Sequence, residues 1–163
     1  MSISTDLERL NYSSPAGCIA TGQYRQVIQS VGATRQLLPA ESGALCLFDR
    51  AAGIVYTLPT PVEGMQFEFA TTVTITSNAA KVITKTITTD FMLGSVDMMI
   101  NTSATTLAAL ANGTTHVAIS SNGSTTGGVQ GDRYRVTAIS ATQWMVDGQV
   151  SGSGSLATPF ATS

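Results

Sequence analysis

Residues 53–69 read GIVYTLPTPVEGMQFEF. β-Branched and aromatic residues fill 54–57, and the run stops at Leu58-Pro59-Thr60-Pro61. It then crosses Val62-Glu63-Gly64 and restarts with Phe67 and Phe69 at alternate positions. Pro59 and Pro61 lack an N–H and fix φ, so a strand ladder must end there. Gly64 lets the chain turn into the next strand. The stretch is strand, stiffened corner, strand, with hardly a reactive side chain in it.

The same grammar extends outward. From Gln36 onward GALCLFD, GIVYTLP, MQFEFATTVTIT, KVITKTI, DMMI, HVAIS, DRYRVTAIS and QWMVDGQV form short runs bounded by Gly, Pro, Asn or Asp. Such runs predict an all-β fold, an antiparallel β-sandwich or jelly-roll-like barrel. In the longest run Met65, Phe67, Phe69, Thr71, Val73 and Ile75 share one face. Gln66, Glu68, Ala70, Thr72, Thr74 and Thr76 share the other, a period of two with one wet face. The expected core includes Phe67, Phe69, Val73, Ile75, Val136, Trp144 and Val146, and Glu68 is expected in solvent. Asn112-Gly113 and Asn122-Gly123 bracket THVAIS and predict type I′ hairpin turns. The run LAALA (107–111) is too short for a helix that stands alone.

A chain of 163 residues suits one domain and can bury roughly 70% of its unfolded surface, so no metal or disulfide staple is needed. Charged residues are 11% and apolar residues 43%, a balance that excludes charge-driven disorder. A net charge of -2 with 8 Lys and Arg argues against a nucleic-acid partner, which demands clustered cations. Polybasic membrane attachment fails for the same reason, and no apolar run approaches a transmembrane length. The opening MSISTDLERLNYSSP has neither a basic nor an apolar leader region, so a cytoplasmic chain is expected. Cys18 and Cys46 lack ligand spacing and read as buried free thiols.

Three regions are expected: an N-terminal arm over 1–35, a β domain over 36–150 and a flexible C-terminal tail over 151–163. In the arm, Thr5-Asp6-Leu7-Glu8 fits a capping box. The arm otherwise lacks the alternation of a strand core. Tyr and Arg anchor interfaces well, so Arg9, Tyr12, Tyr24, Arg25 and Arg35 are expected contacts to a partner. The alternative is an arm packed on its own β domain.

Charge placement is telling. No Asp, Glu, Lys or Arg occurs from Asn101 through Gly131, and none from Gly148 to Ser163. Monomers interleave both signs for solubility. Long neutral stretches suggest surface covered by other chains, with a solvated Ser/Thr face as the alternative. The apolar cluster Met98-Met99-Ile100 is the expected subunit interface, because Met adapts to irregular packing.

The catalytic inventory is thin. His116 is the only histidine, within an expected strand and with no acid beside it, so a Ser-His-Asp arrangement rests on one candidate. Zinc needs three or four ligands, for which Cys18, Cys46 and His116 have no spacing. Glu63, Glu68, Asp90 and Asp97 read as solvated carboxylates rather than a glycosidase pair. GSGSLA (152–157) matches the dinucleotide pattern but leaves no room for the helix that receives the pyrophosphate. Four sequons, at Asn11, Asn101, Asn112 and Asn122, follow from abundant Ser and Thr. No catalytic residue, metal or cofactor is expected.

The stretch LLPAESGALCLFDRAAGIVYTLPTPVEGMQFEFATT, followed much later by GDRYRVTAISATQWMVDGQV, resembles tailed-bacteriophage capsid decoration, or cement, proteins. Such proteins share an SG-strand-AAG-strand-LPxPxxG-strand opening and close with a GD-strand, a short turn and a strand carrying Trp before a Gly. The matching positions are Ser42-Gly43, Gly53, Leu58-Pro59, Pro61, Gly64, Gly131-Asp132, Trp144 and Gly148. The resemblance covers roughly residues 36–150. It implies a virion protein, a homotrimer on the outer capsid surface that bridges major capsid subunits after synthesis in the host cytoplasm. A receptor- or glycan-binding module of a tail or head fibre is the alternative.

Overall fold

A computed structural model describes residues 24–100 and 102–163. Twelve strands run β1 Val27–Ile28, β2 Thr34–Gln36, β3 Leu45–Phe48, β4 Val55–Thr57, β5 Gln66–Thr71, β6 Ala80–Ile83, β7 Phe91–Ile100, β8 Thr106–Asn112, β9 Ala118–Ser121, β10 Arg133–Ala138, β11 Gln143–Gly152 and β12 Phe160–Ala161. One 3-10 turn, Pro39–Glu41, is the only helical element among the described residues. A seven-stranded sheet is ordered β1-β3-β5-β10-β11-β7-β8, and a five-stranded sheet β12-β9-β6-β4-β2. The all-β sandwich read from the sequence is what the chain forms.

Both sheets are mixed rather than purely antiparallel. Strands β1 to β7 alternate between the sheets, and β1–β3, β3–β5, β2–β4 and β4–β6 are parallel pairs. Residues 27–83 therefore wind as a coil in which each turn adds one strand to each sheet. The Pro-stiffened corner of the opening stretch is what makes this possible. Pro59 and Pro61 end β4, Leu58 donates its N–H to Ile83, and Gly64, at φ 85°, donates to Ala138. The chain thus crosses to the other sheet instead of folding back on itself. One turn earlier Leu37 through Gly43 makes the same crossing, with Gly43 at φ 91° and the Leu37 N–H bonded to Thr57.

Alternation places the core. Ile28, Cys46, Phe69, Tyr134, Gly148, Val96 and Ala109 form one inward row across all seven strands. Tyr56, Val82, Ile119 and Phe160 form the facing row of the second sheet. Gly148 is a spatial requirement: a Cβ there would lie 2.4 Å from the Cα of Tyr134. Phe67, Phe69, Ile75, Val136, Trp144 and Val146 are buried as expected. Val73 is 40% exposed, because β5 ends at Thr71 and the alternation lapses with it.

Several boundaries are corrected. Residues 24–35 do not behave as a free arm, since β1 pairs with β3 and β2 with β4. The segment 151–163 is not a flexible tail. Strand β11 runs to Gly152, and Phe160 is buried where β12 pairs with β9. LAALA is strand, in β8. The Asn-Gly pairs are not type I′ turns, because no non-glycine residue has positive φ among the described residues. Instead Asn112 Oδ1 accepts from the N–H groups of Thr114 and Thr115, and Asn122 Oδ1 from those of Ser124 and Thr126. These are Asx turns, and the first one carries the chain from β8 in one sheet to β9 in the other.

Candidate functional site: the outer face and neutral edge of the larger sheet

The outer side of the larger sheet is ordered by the same register. Val27, Leu45, Glu68, Arg135, Asp147, Ser95 and Leu110 make one row across all seven strands. Beside it run Leu47, Ala70, Arg133, Gln149, Asp97 and Ala108. Charges gather at the centre of this face in a chain that has few. Glu68 takes Arg25 at 2.5 Å on one carboxylate oxygen and Arg133 on the other. Arg135 pairs with Asp147 at 3.3 Å. Glu68, Arg133, Arg135, Asp147 and Gln149 rim a shallow depression of about 300 Å³.

Glu68 is a correction to the sequence reading. It faces outward as alternation requires, yet it is buried beneath the two guanidinium groups. Burial alone would raise its pKa, but hydrogen bonds and charge from Arg25 and Arg133 outweigh that and hold it below the usual carboxylate range. A carboxylate held ionised in this way is unsuited to donate a proton near neutrality. What the cluster offers is forked guanidinium donors, partly free, on Arg133 and Arg135. Such planar, forked donors match the geometry of carboxylates and phosphates.

The two neutral sequence stretches converge in space. Strand β8 is the edge of the larger sheet, β12 and β9 are the adjoining edge of the smaller one, and β8 and β12 are in contact. The opposite edge, at β1 and β2, carries Arg25, Arg35 and Glu41. The sandwich therefore has one edge that carries charges and one whose strands β8, β9 and β12 carry none, although Lys81 of β6 reaches the Ser163 carbonyl just past β12. Leu110, 68% exposed, and Met99, 43% exposed, stand on the outer face beside the uncharged one.

The expected site residues distribute unevenly. Arg9, Tyr12 and Cys18 lie outside the described residues, as do the capping box, the Asn11 sequon and Asn101. Tyr24 is 99% exposed. The guanidinium of Arg25 is occupied within the chain by Glu68 and the carbonyls of Gly43 and Ala44, and Arg35 is paired with Glu41. Both are structural ties of the charged edge, a correction to their reading as free contact residues. Met98 is fully buried because β7 turns it inward toward the core, so it is no interface residue. Met99 points outward and Ile100 ends β7. Reading DRYRV with period two exposes Arg133 and Arg135 around an inward Tyr134, a signal in the sequence that the expectations did not use.

The remaining candidates are structural. Asp90 accepts from the Thr86 N–H and the Thr89 hydroxyl and closes their turn. His116 lies in the loop before β9, not in a strand. Its Nδ1 accepts from the Asn112 N–H, and its ring lies 5.8 Å from that of Phe160. Cys46 is a buried free thiol whose pKa burial, with Glu41 nearby, pushes up to about 12. Among the described residues no group of three His, Cys, Asp or Glu side chains is placed to hold a metal ion. No helix among them is long and apolar enough to cross a membrane. No protein-family model, no curated protein and no solved structure matches this chain.

Proposed function

We propose that the chain is a structural virion protein that lies on the outside of a bacteriophage capsid and bridges neighbouring major capsid subunits. One observation supports it beyond the resemblance of residues 36–150. The molecule presents a broad seven-stranded face with guanidinium groups at its centre and apolar side chains toward its edges. Arg is an enriched anchor of protein interfaces, and the exposed apolar side chains on the same face add area to bury. The mechanism is linkage: a protein that binds only the assembled lattice stabilises it by mass action. Self-association belongs to this reading, with the three-fold symmetry that the resemblance implies. The fibre alternative loses its best sugar-stacking platform, since Trp144, the only Trp, is fully buried beside Phe67.

Cosedimentation with purified expanded capsids tests the reading. The full chain should pellet with the shells and raise the temperature at which they release DNA. Arg133→Glu combined with Arg135→Glu should lower that retention at least tenfold while the chain stays folded. A chain that stays in the supernatant at every concentration would sink the proposal.

A further inference from the structure

We infer that strand β8 is a self-pairing edge, through which two copies of this chain join their larger sheets across a two-fold axis. Sheet edges present unpaired backbone groups, and proteins blunt them by shortness, charge or proline. Among the described residues, three of the four sheet edges are blunted by shortness: β1 has 2 residues, β12 has 2 and β2 has 3. Strand β8 has 7, reads TLAALAN, and carries neither charge nor proline.

The hydrogen-bond phase shows what this edge offers. Ile100 donates to Thr105 and Gly113 to Met92, so Thr105, Leu107, Ala109, Ala111 and Gly113 are the residues bonded to β7. The N–H and C=O groups of Thr106, Ala108 and Leu110 point the other way, with no hydrogen-bond partner among the described residues. The next N–H in phase, that of Asn112, is closed off by His116 Nδ1 at 3.1 Å. The open template is three residues centred on Ala108.

That template is complementary to itself. An antiparallel two-fold at Ala108 sets Thr106 opposite Leu110 of the other copy and Ala108 opposite Ala108. All three residues are in the bonding phase, which gives about six backbone hydrogen bonds. The smallest side chain lies at the axis, and each exposed Leu110 covers a Thr106 methyl beside Met99. An isologous contact sets like against like, so it tolerates no charge near its axis. The nearest on this face is Asp97, one strand behind Ala108. Two copies of Asp97 stand three strand spacings apart, about 14 Å, beyond a screening length of about 8 Å at physiological ionic strength. Strands β9 and β12 of the smaller sheet carry no charged side chain, and the Lys81 ammonium near them is held on the Ser163 carbonyl rather than at β8.

The inference rests on this edge alone and not on the capsid reading. A two-fold contact adds to a three-fold assembly rather than building one: it pairs two chains, or two trimers. Light scattering of the purified full-length chain at micromolar concentration should give an even number of chains. Ala108→Lys, which sets two ammonium groups face to face, should halve that mass while the circular dichroism of the β fold is kept. Gln66→Lys, on the same face but an inner strand, should leave the mass unchanged. Hydrogen exchange should find the amides of Thr106, Ala108 and Leu110 slowed about a hundredfold or more, and released in the Lys variant. A wild-type mass of one or three chains overturns the inference, as does an Ala108→Lys variant of unchanged mass. Protection of these amides that arises only on added capsids also overturns it, because a shell strand and not a second copy then fills the edge.

Discussion

Phe69 stacks on Tyr134, the ring centroids 5.4 Å apart and the planes 24° from parallel. Phe69 also meets Phe48 at 6.1 Å and Tyr56 at 5.6 Å. Tyr56 belongs to the smaller sheet and the other three to the larger, so one ring joins the two layers. Phe69→Ala removes three aromatic contacts and leaves a void that a strand cannot close by shifting. It should cost about 3–5 kcal/mol. Urea unfolding followed by the fluorescence of Trp144 measures it, and a loss under about 1 kcal/mol would show that the layers repack freely.

Two tyrosines in that cluster should respond to loss of their hydroxyl with opposite signs. The Tyr56 hydroxyl donates to the Leu47 carbonyl at 2.7 Å, whereas the Tyr134 hydroxyl is buried with no partner among the described residues. Tyr56→Phe leaves a buried carbonyl short of a donor and should destabilise by about 1 kcal/mol. Tyr134→Phe relieves an unsatisfied group and should be neutral or stabilising by about 1 kcal/mol. Melting temperatures of the two variants moving in the same direction would contradict the assignment of these bonds.

Glu68→Gln should change the acid limb of the stability curve. A carboxyl with a lowered folded pKa adds stability above its unfolded value and loses it as pH falls through the folded one. Asp132 acts in the opposite sense, its pKa raised by burial against the N–H bonds of Ser151, Gly128 and Val129. The whole-protein curve mixes both groups. The difference between wild type and Glu68→Gln cancels Asp132 and isolates Glu68. It should be largest near neutral pH and shrink as pH drops below about 4.5, the ordinary value of the group. A difference that is flat with pH would mean that Arg25 and Arg133 hold either side chain equally well.

The class of the fold was legible because alternation is local. Phe67, Phe69, Val136, Trp144 and Val146 reach the core by period two alone. The connectivity was harder, since parallel pairing depends on which strands meet after a crossing. A signal for it existed: Leu37 to Gly43 and Leu58 to Gly64 repeat a leucine, a proline corner and a left-handed glycine. Such a repeat indicates successive turns of a coil, not a hairpin. Arg25 and Arg35 were misread because an arginine looks alike whether it reaches for a partner or for a carboxylate distant in sequence. The bond from Arg25 to Glu68 spans 43 residues, beyond any local pattern. The neutral stretches were visible as composition, but that both fall on one edge is a property of the sheet order alone.

Asp132 should prove the least replaceable polar side chain of the β domain. Its Oδ2 accepts from Gly128 at 2.7 Å and Val129 at 3.0 Å, while Oδ1 accepts from Ser151 at 2.7 Å. One carboxylate thereby ties the loop before β10 to the far end of β11, the strand that also pairs with β7. Asp132→Ala strands three backbone donors, two of them on a glycine-turned loop with no strand partner. Each orphaned donor costs about 1–3 kcal/mol and such terms do not simply add, so a total of about 3 kcal/mol or more is expected. Asp132→Asn keeps the shape but turns an NH2 group toward at least one N–H whichever way the amide lies. It should fall between wild type and Asp132→Ala. Urea midpoints in the order wild type, Asn, Ala, with faster exchange of the Gly128, Val129 and Ser151 amides, are the expected result. An Asp132→Ala chain as stable as wild type would show that water or a relaxed loop satisfies those donors without the carboxylate.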